Sequence, residues 1–173
     1  GLLGEYALAD VDAAIKIGTS LGMNGEEIKQ GIAKIKPVEH RLQPIKSPQD
    51  ILVIDDSYNG NPDGVREAIK VLSRFDDRRK IYITPGLVEM GKASGAIHRE
   101  IGRQLAGAVD LVILIKNSVT KNIESGIRNY ELGNKKPEII YFDSAIKAHQ
   151  ELKNILKPND VILFQNDWGD NYV

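Results

Sequence analysis

Apolar runs of four to six residues alternate with longer stretches of helical periodicity through most of this chain. Strands are predicted at Ile51–Asp55, Lys80–Thr84, Leu111–Ile115, Glu138–Phe142 and Val161–Phe164, and helices at Pro62–Arg74, Ala96–Ala108, Val119–Asn129 and Ser144–Leu156. Near-continuous apolar strands alternating with helices predict a mostly parallel sheet, Rossmann-like in architecture, with helices on both faces. Leu42–Lys46 reads as a further strand, confined to the edge by Pro44. Ahead of it lies a purely helical segment. Ala7–Leu21 places Leu8, Val11, Ala14, Ile15 and Ile17 as an apolar face and stops at Gly22, and Glu26–Ile35 follows. The break at Lys36–His40 sets a boundary, giving residues 1–38 and 39–173 as separate units.

The strand ends concentrate the chemistry. Ile51–Asn61 reads ILVIDDSYNGN and runs into Pro62, so Asp55 and Asp56 are expected at the mouth of a crevice above the sheet. Asn61 reads as an N-cap with Pro62 as the first helical residue, and Asp55 as a brace for the turn. Thr84–Gly86, Lys116 and Asn117, Asp143, and Gln165–Asp167 close the other strands, and all fall on the same rim.

Composition narrows the classes. The 173 residues are 42% hydrophobic and 27% charged, with a formal net charge of −1, so no electrostatic case arises for nucleic acid or an anionic membrane. There are no cysteines, and His40, His98 and His149 are not at metal-ligand spacing, so no metal site is expected. No apolar run approaches the ~20 residues of a membrane span. A cytoplasmic monomer is expected. No G-x-x-x-x-G-K-[ST] phosphate loop and no G-x-G-x-x-G after a strand occurs in the 173 residues. The opening helical pattern without a starting Met reads as part of something longer.

VEHRLQPI, ILVIDDSYNGNPDGVREAIKVL and GLVEMGKASGAIHREIG resemble the carboxy-terminal domain of the Mur ligases, most of all the branch that takes D-alanyl-D-alanine as acceptor, whose segments read GRL, DDSYNANP and GDMxELG followed by a histidine. Residues 1–38 resemble the helical end of that family's central ATPase domain. The resemblance implies an ATP-dependent amide ligase of peptidoglycan precursor synthesis. Such an enzyme activates the carboxylate of a UDP-muramoyl peptide as an acyl phosphate for attack by an amino acceptor. ATP and magnesium are held mainly by the central domain, so this chain is expected to be inactive alone, with no catalytic residue of its own.

Carried over position by position, Arg41 is the linker arginine that approaches the ATP phosphates and Asp56 the acid that accepts from ribose hydroxyls. Tyr58 and Asn59 lie near the adenine, and Asn61 is a cap first and a ligand contact second. Glu89, Gln165, Asn166 and Asp167 stand on the side of the amino acceptor. Three departures matter. Leu87 replaces the family's Asp, Gln165–Asn171 replaces a lysine, glycine and serine, and Tyr6 and Asp10 replace a histidine and asparagine near the adenine. The resemblance implies D-alanyl-D-alanine or a related amine as the acceptor, and a neutral-to-acidic corner in place of a cationic one speaks against D-alanyl-D-alanine itself. His98 reads as a packed or capping histidine. Two other readings remain at this level: a receiver-type signalling domain, since ILVIDD also opens those, and a nonenzymatic interaction domain of similar fold.

Overall fold

The computed structural model describes residues 2–47, 49–131 and 136–165. Six strands form one sheet in the order β1-β2-β6-β3-β4-β5. They are β1 (Gln43–Lys46), β2 (Leu52–Asp56), β3 (Arg79–Thr84), β4 (Leu111–Ile115), β5 (Glu138–Phe142) and β6 (Asp160–Gln165). All neighbours are parallel except β1, which pairs antiparallel with β2 at the edge, with Gln43 opposite Asp55. Pro44 is tolerated there because an edge strand has one row of backbone groups with no ladder partner.

The connections explain the layers. From β2 through β3 and β4 to β5 the chain moves in one direction along the sheet, and right-handed crossovers put α3 (Pro62–Ser73), α4 (Ser94–Ala106) and α5 (Thr120–Arg128) on one face. It then returns from β5 to the slot between β2 and β3, so α6 (Ala145–Ile155) falls on the other face. Two cores result. Val65, Leu72, Leu105 and Ile123 pack on Ile54, Tyr82, Val112 and Leu163; Ala148 and Leu152 pack on Ile81, Ile83, Ile113 and Ile162. Alternate residues of a strand serve opposite cores, which is why the strands read as continuous apolar runs.

On the three-helix face, α4 and α5 meet backbone to backbone. A Cβ on Gly102 would lie 2.0 Å from the Ile123 carbonyl oxygen, and one on Gly126 would lie 2.0 Å from that of Arg99. Only hydrogen at both positions permits this approach.

The helical segment behaves differently from its sequence pattern. α1 (Tyr6–Ser20) ends in a Schellman turn, with Gly22 at φ 84° and Met23 N–H donating to the Gly18 carbonyl at 3.0 Å. α2 (Gly25–Ala33) opens with a capping box between Asn24 and Glu27. Yet the expected apolar face of α1 is not a core: only Ala7 and Gly18 are buried, while Leu8 and Ile17 are 69% and 61% exposed. Two short helices in contact mainly with each other cannot enclose a hydrophobic stripe. The segment is anchored at its start instead, where Leu3 packs against the first core and Glu5 pairs with Arg74 at 2.6 Å.

Candidate functional site

The carboxyl ends of β2 and β6 and the approach to β1 bring Arg41, Asp56, Tyr58, Asn59 and Gln165 together. Asp56 ends β2 beside Gln165, its register partner at the end of β6. Its carboxylate accepts from the Leu42 N–H at 3.1 Å through one oxygen and from Gln165 Nε2 at 2.8 Å through the other. Burial raises its pKa, while the hydrogen bonds from Gln165 and Leu42 and the charge of Arg41 oppose that rise. Asp55 takes the turn: it accepts from Ser57 N–H at 3.1 Å and pairs with His40 Nδ1 at 2.8 Å.

Arg41 stands over this cluster. Its guanidinium carbon is 5.0 Å from the centroid of the Tyr58 ring, a cation–π stack, and it donates to the Asn59 carbonyl at 3.4 Å. Tyr58 is 61% exposed, and its N–H reaches the His40 carbonyl at 3.4 Å, tying the loop after β2 to the segment before β1. That segment is strained, with His40 at φ 59° and Leu42 at φ 41°. Tyr6 belongs to the same neighbourhood: burial raises its phenol pKa, and Asp56 adds to the rise while Arg41 lowers it. Asn61 is the N-cap of α3, accepting from Gly64 N–H at 2.9 Å with Pro62 following, an arrangement that stabilises a helix by about 1 kcal/mol.

Gln165 departs from its expected place facing substrate. It is 2% exposed, and its amide nitrogen is directed at Asp56 because β6 runs between β2 and β3 with its last side chain turned under the rim. Its Oε1 has no hydrogen-bond partner among the described residues. Asn166 and Asp167 lie outside the described residues.

Glu89 lies elsewhere, on the loop after β3. Together with Leu87, Val88, Ser94, Asn117 and Ser118 it lines a cavity of about 350 Å³ at the ends of β3 and β4. Gly86 (φ 90°) is required here, since a Cβ would come within 2.7 Å of Val119 and 2.8 Å of His98. His98 is fully buried and braces the loop: Nε2 accepts the Leu87 N–H at 2.9 Å, and Nδ1–H donates to the Ser94 carbonyl at 2.7 Å. Those two partners require the neutral tautomer with its proton on Nδ1. Thr84 Oγ1 accepts from Gly86 N–H at 2.9 Å. Among the described residues no group of three or more His, Asp or Glu is placed to hold a metal ion, and no helix is long and apolar enough to cross a membrane.

Sequence reading did not assign His40 or the Leu42 N–H to the site. The signal was there: pairing Leu42–Lys46 antiparallel with the DD strand puts residue 42 opposite residue 56.

A mostly parallel sheet with helices on both faces, whose rim brings an arginine, an aromatic and a half-buried carboxylate together, defines a Rossmann-like α/β domain. Residues 40–165 match the Mur ligase glutamate ligase domain, and the chain belongs to the Mur ligase family as its carboxy-terminal domain. The UDP-N-acetylmuramoyl-tripeptide–D-alanyl-D-alanine ligase of Escherichia coli K12 is 32% identical over 128 residues, covering 73% of this chain and 28% of that protein. The Bacillus subtilis 168 enzyme of the same name is 23% identical over 170 residues, covering 97% of this chain and 36% of that protein. The chain therefore spans about a third of the length of these relatives. Among solved structures, a MurF from Acinetobacter baumannii superposes with a TM-score of 0.78 at 25% identity, over 95% of this chain and 35% of that one. The MurF ligase of Thermotoga maritima, solved in complex with ADP, gives 0.77 at 24% identity over 96% of this chain and 36% of that one, a likeness of fold. The receiver-type alternative is overturned by this membership and by the strand β6 inserted between β2 and β3.

Proposed function

We propose that this chain is the acceptor-side part of an ATP-dependent carboxylate–amine ligase of peptidoglycan precursor synthesis, working in the cytoplasm as part of a longer monomeric protein. Residues 1–38 are the end of its central ATPase domain and residues 39–173 the domain that closes over ATP. The rim of β1, β2 and β6 is half of a nucleotide pocket. The central domain supplies the other half, with the phosphate loop and magnesium. ATP supplies the phosphoryl group that activates the carboxylate of a UDP-muramoyl peptide, and the amino acceptor binds in the cavity beside Glu89.

The observation that carries this reading is the stack of Arg41 on Tyr58 above Asp56. A guanidinium held over a ring keeps its outer N–H fork free for paired phosphate oxygens, and the exposed edge of Tyr58 offers a flat surface to a base. Asp56 contributes chiefly by fixing the segment that carries Arg41, through the Leu42 N–H, while each of its oxygens keeps a second lone pair for a ribose hydroxyl. Asn59 faces the same rim, and its carbonyl orients Arg41.

ADP titrated into the chain is expected to bind weakly and saturably, with Arg41→Ala weakening it about tenfold, the equivalent of about 1.4 kcal/mol. Equal affinity of the two proteins in the same titration would remove Arg41 from the phosphate role.

A further inference from the structure

Resting on the reading of Arg41 as the phosphate contact, we infer that His40 is a positioning residue for that arginine, and that the paired acids at the end of β2 form a clamp in which Asp55 holds the residue before Arg41 and Asp56 the residue after it. The antiparallel register of β1 on β2 sets Gln43 opposite Asp55. Continued past the strand ends, it brings residue 42 against 56 and residue 40 against 58. Both contacts are made. Leu42 N–H donates to Asp56 Oδ1 at 3.1 Å, and Tyr58 N–H donates to the His40 carbonyl at 3.4 Å.

The side chain of His40 adds a third tie. Its Nδ1 lies 2.8 Å from Asp55 Oδ2, and since an ionised carboxylate only accepts, the imidazole supplies Nδ1–H to a charge-assisted bond. Asp55 is itself fixed, its other oxygen accepting from Ser57 N–H at 3.1 Å. His40 N–H donates to Gln43 Oε1 and Arg41 N–H to the Val38 carbonyl, each at 3.2 Å. These ties hold a backbone that non-glycine residues rarely adopt: His40 at φ 59° and Leu42 at φ 41° are both left-handed, with Arg41 between them. Leu42 is anchored by burial, whereas the imidazole of His40 is half exposed, so its bond to Asp55 and not packing fixes it. The consequence falls on Arg41. A guanidinium on a long stem loses rotamer freedom when it meets phosphate, and a held main chain with the guanidinium laid over Tyr58 sets that geometry before the ligand arrives.

A double-mutant cycle tests this, read as ADP affinity by NMR titration of the full ¹⁵N-labelled chain. Glycine accepts φ 59° without strain, so His40→Gly removes the tie to Asp55 and leaves the backbone its path. It is expected to weaken ADP about fivefold, while His40→Gly combined with Arg41→Ala is no weaker than Arg41→Ala alone, about tenfold, because His40 acts only through Arg41. His40→Asn tolerates the left-handed backbone and keeps a donor for Asp55, and it is expected to bind ADP within about twofold of the parent. A double variant weakened by the product of the two effects, about fiftyfold, overturns the inference and leaves Arg41 in the phosphate role. So does a His40→Gly protein with the parent's affinity, or a His40→Asn protein as weak as His40→Gly. Arg41→Ala with the parent's affinity removes the nucleotide reading and the inference with it.

Discussion

Gly102→Ala is expected to destabilise the protein by about 3 kcal/mol, at the upper end of what over-packing costs, and to lower its melting temperature by roughly 6–12 °C. The added methyl meets a main-chain oxygen, not the movable tip of a side chain, at a distance no van der Waals contact permits. Relief requires α4 and α5 to separate, which pulls Leu105 and Ile123 out of register with Val112 and Leu114 in the same core. Gly126→Ala presents the reciprocal clash with the Arg99 carbonyl and is expected to behave alike. Gly31→Ala is the internal control. Gly31 sits in α2 with no atom within 4 Å of an added Cβ, so helix propensity alone acts and stability rises by up to about 1 kcal/mol. Thermal unfolding of the three variants checks the set, and a Gly102→Ala melting point within 2 °C of the parent, about 1 kcal/mol or less, would refute the close helix contact.

Asp56→Ala is expected to cost about 2–3 kcal/mol, because it removes the acceptor for a half-buried N–H at Leu42 and for the amide of a buried glutamine. Asp56→Asn is expected to cost less than about 1 kcal/mol, since the Asn oxygen still accepts from Leu42 and a turned Gln165 amide accepts from the new nitrogen through the oxygen that now lacks a partner. The two variants also differ from the parent in pH dependence. Burial raises the Asp56 pKa in the folded state, so the folded protein binds the proton more tightly than the unfolded chain does. Stability from this group is present below the unfolded value near 4 and is lost as pH rises through the raised folded value. Denaturant titrations across that window are expected to show a falling contribution in the parent that is absent in both variants. An Asp56→Asn protein as unstable as Asp56→Ala, with the parent's pH profile, would show that the carboxylate charge itself holds the linker.

Much of the fold was legible in the sequence because its determinants are local. The parallel strands are buried on both faces, so they read as unbroken apolar runs, and Asn61-Pro62 marks its helix start by backbone chemistry alone. Pro44 confined β1 to an edge for the same kind of reason. What local pattern did not carry was the destination of side chains at the rim. Gln165 read as a ligand contact since it follows the last apolar residue of a strand, but its exposure depends on β6 lying between β2 and β3, a property of strand order that no window of sequence contains. Leu8 and Ile17 likewise carry a helical apolar stripe, and whether such a stripe is covered depends on what packs against it. Arg41, Asp56 and Tyr58 were legible as a group through their resemblance to a family motif. That Asp56 holds the linker through Leu42 emerges only from the antiparallel register of β1.

The most direct test is an amide map of the ¹⁵N-labelled chain saturated with ADP. Shifts are expected at Arg41, Leu42, Tyr58 and Asn59, with Gly86, Gly91 and Ser118 of the cavity beside Glu89 unmoved. A map in which ADP leaves the Arg41–Tyr58 rim unchanged, or moves only the loop that carries Glu89, would contradict the division of this sheet edge into a nucleotide half and an acceptor half.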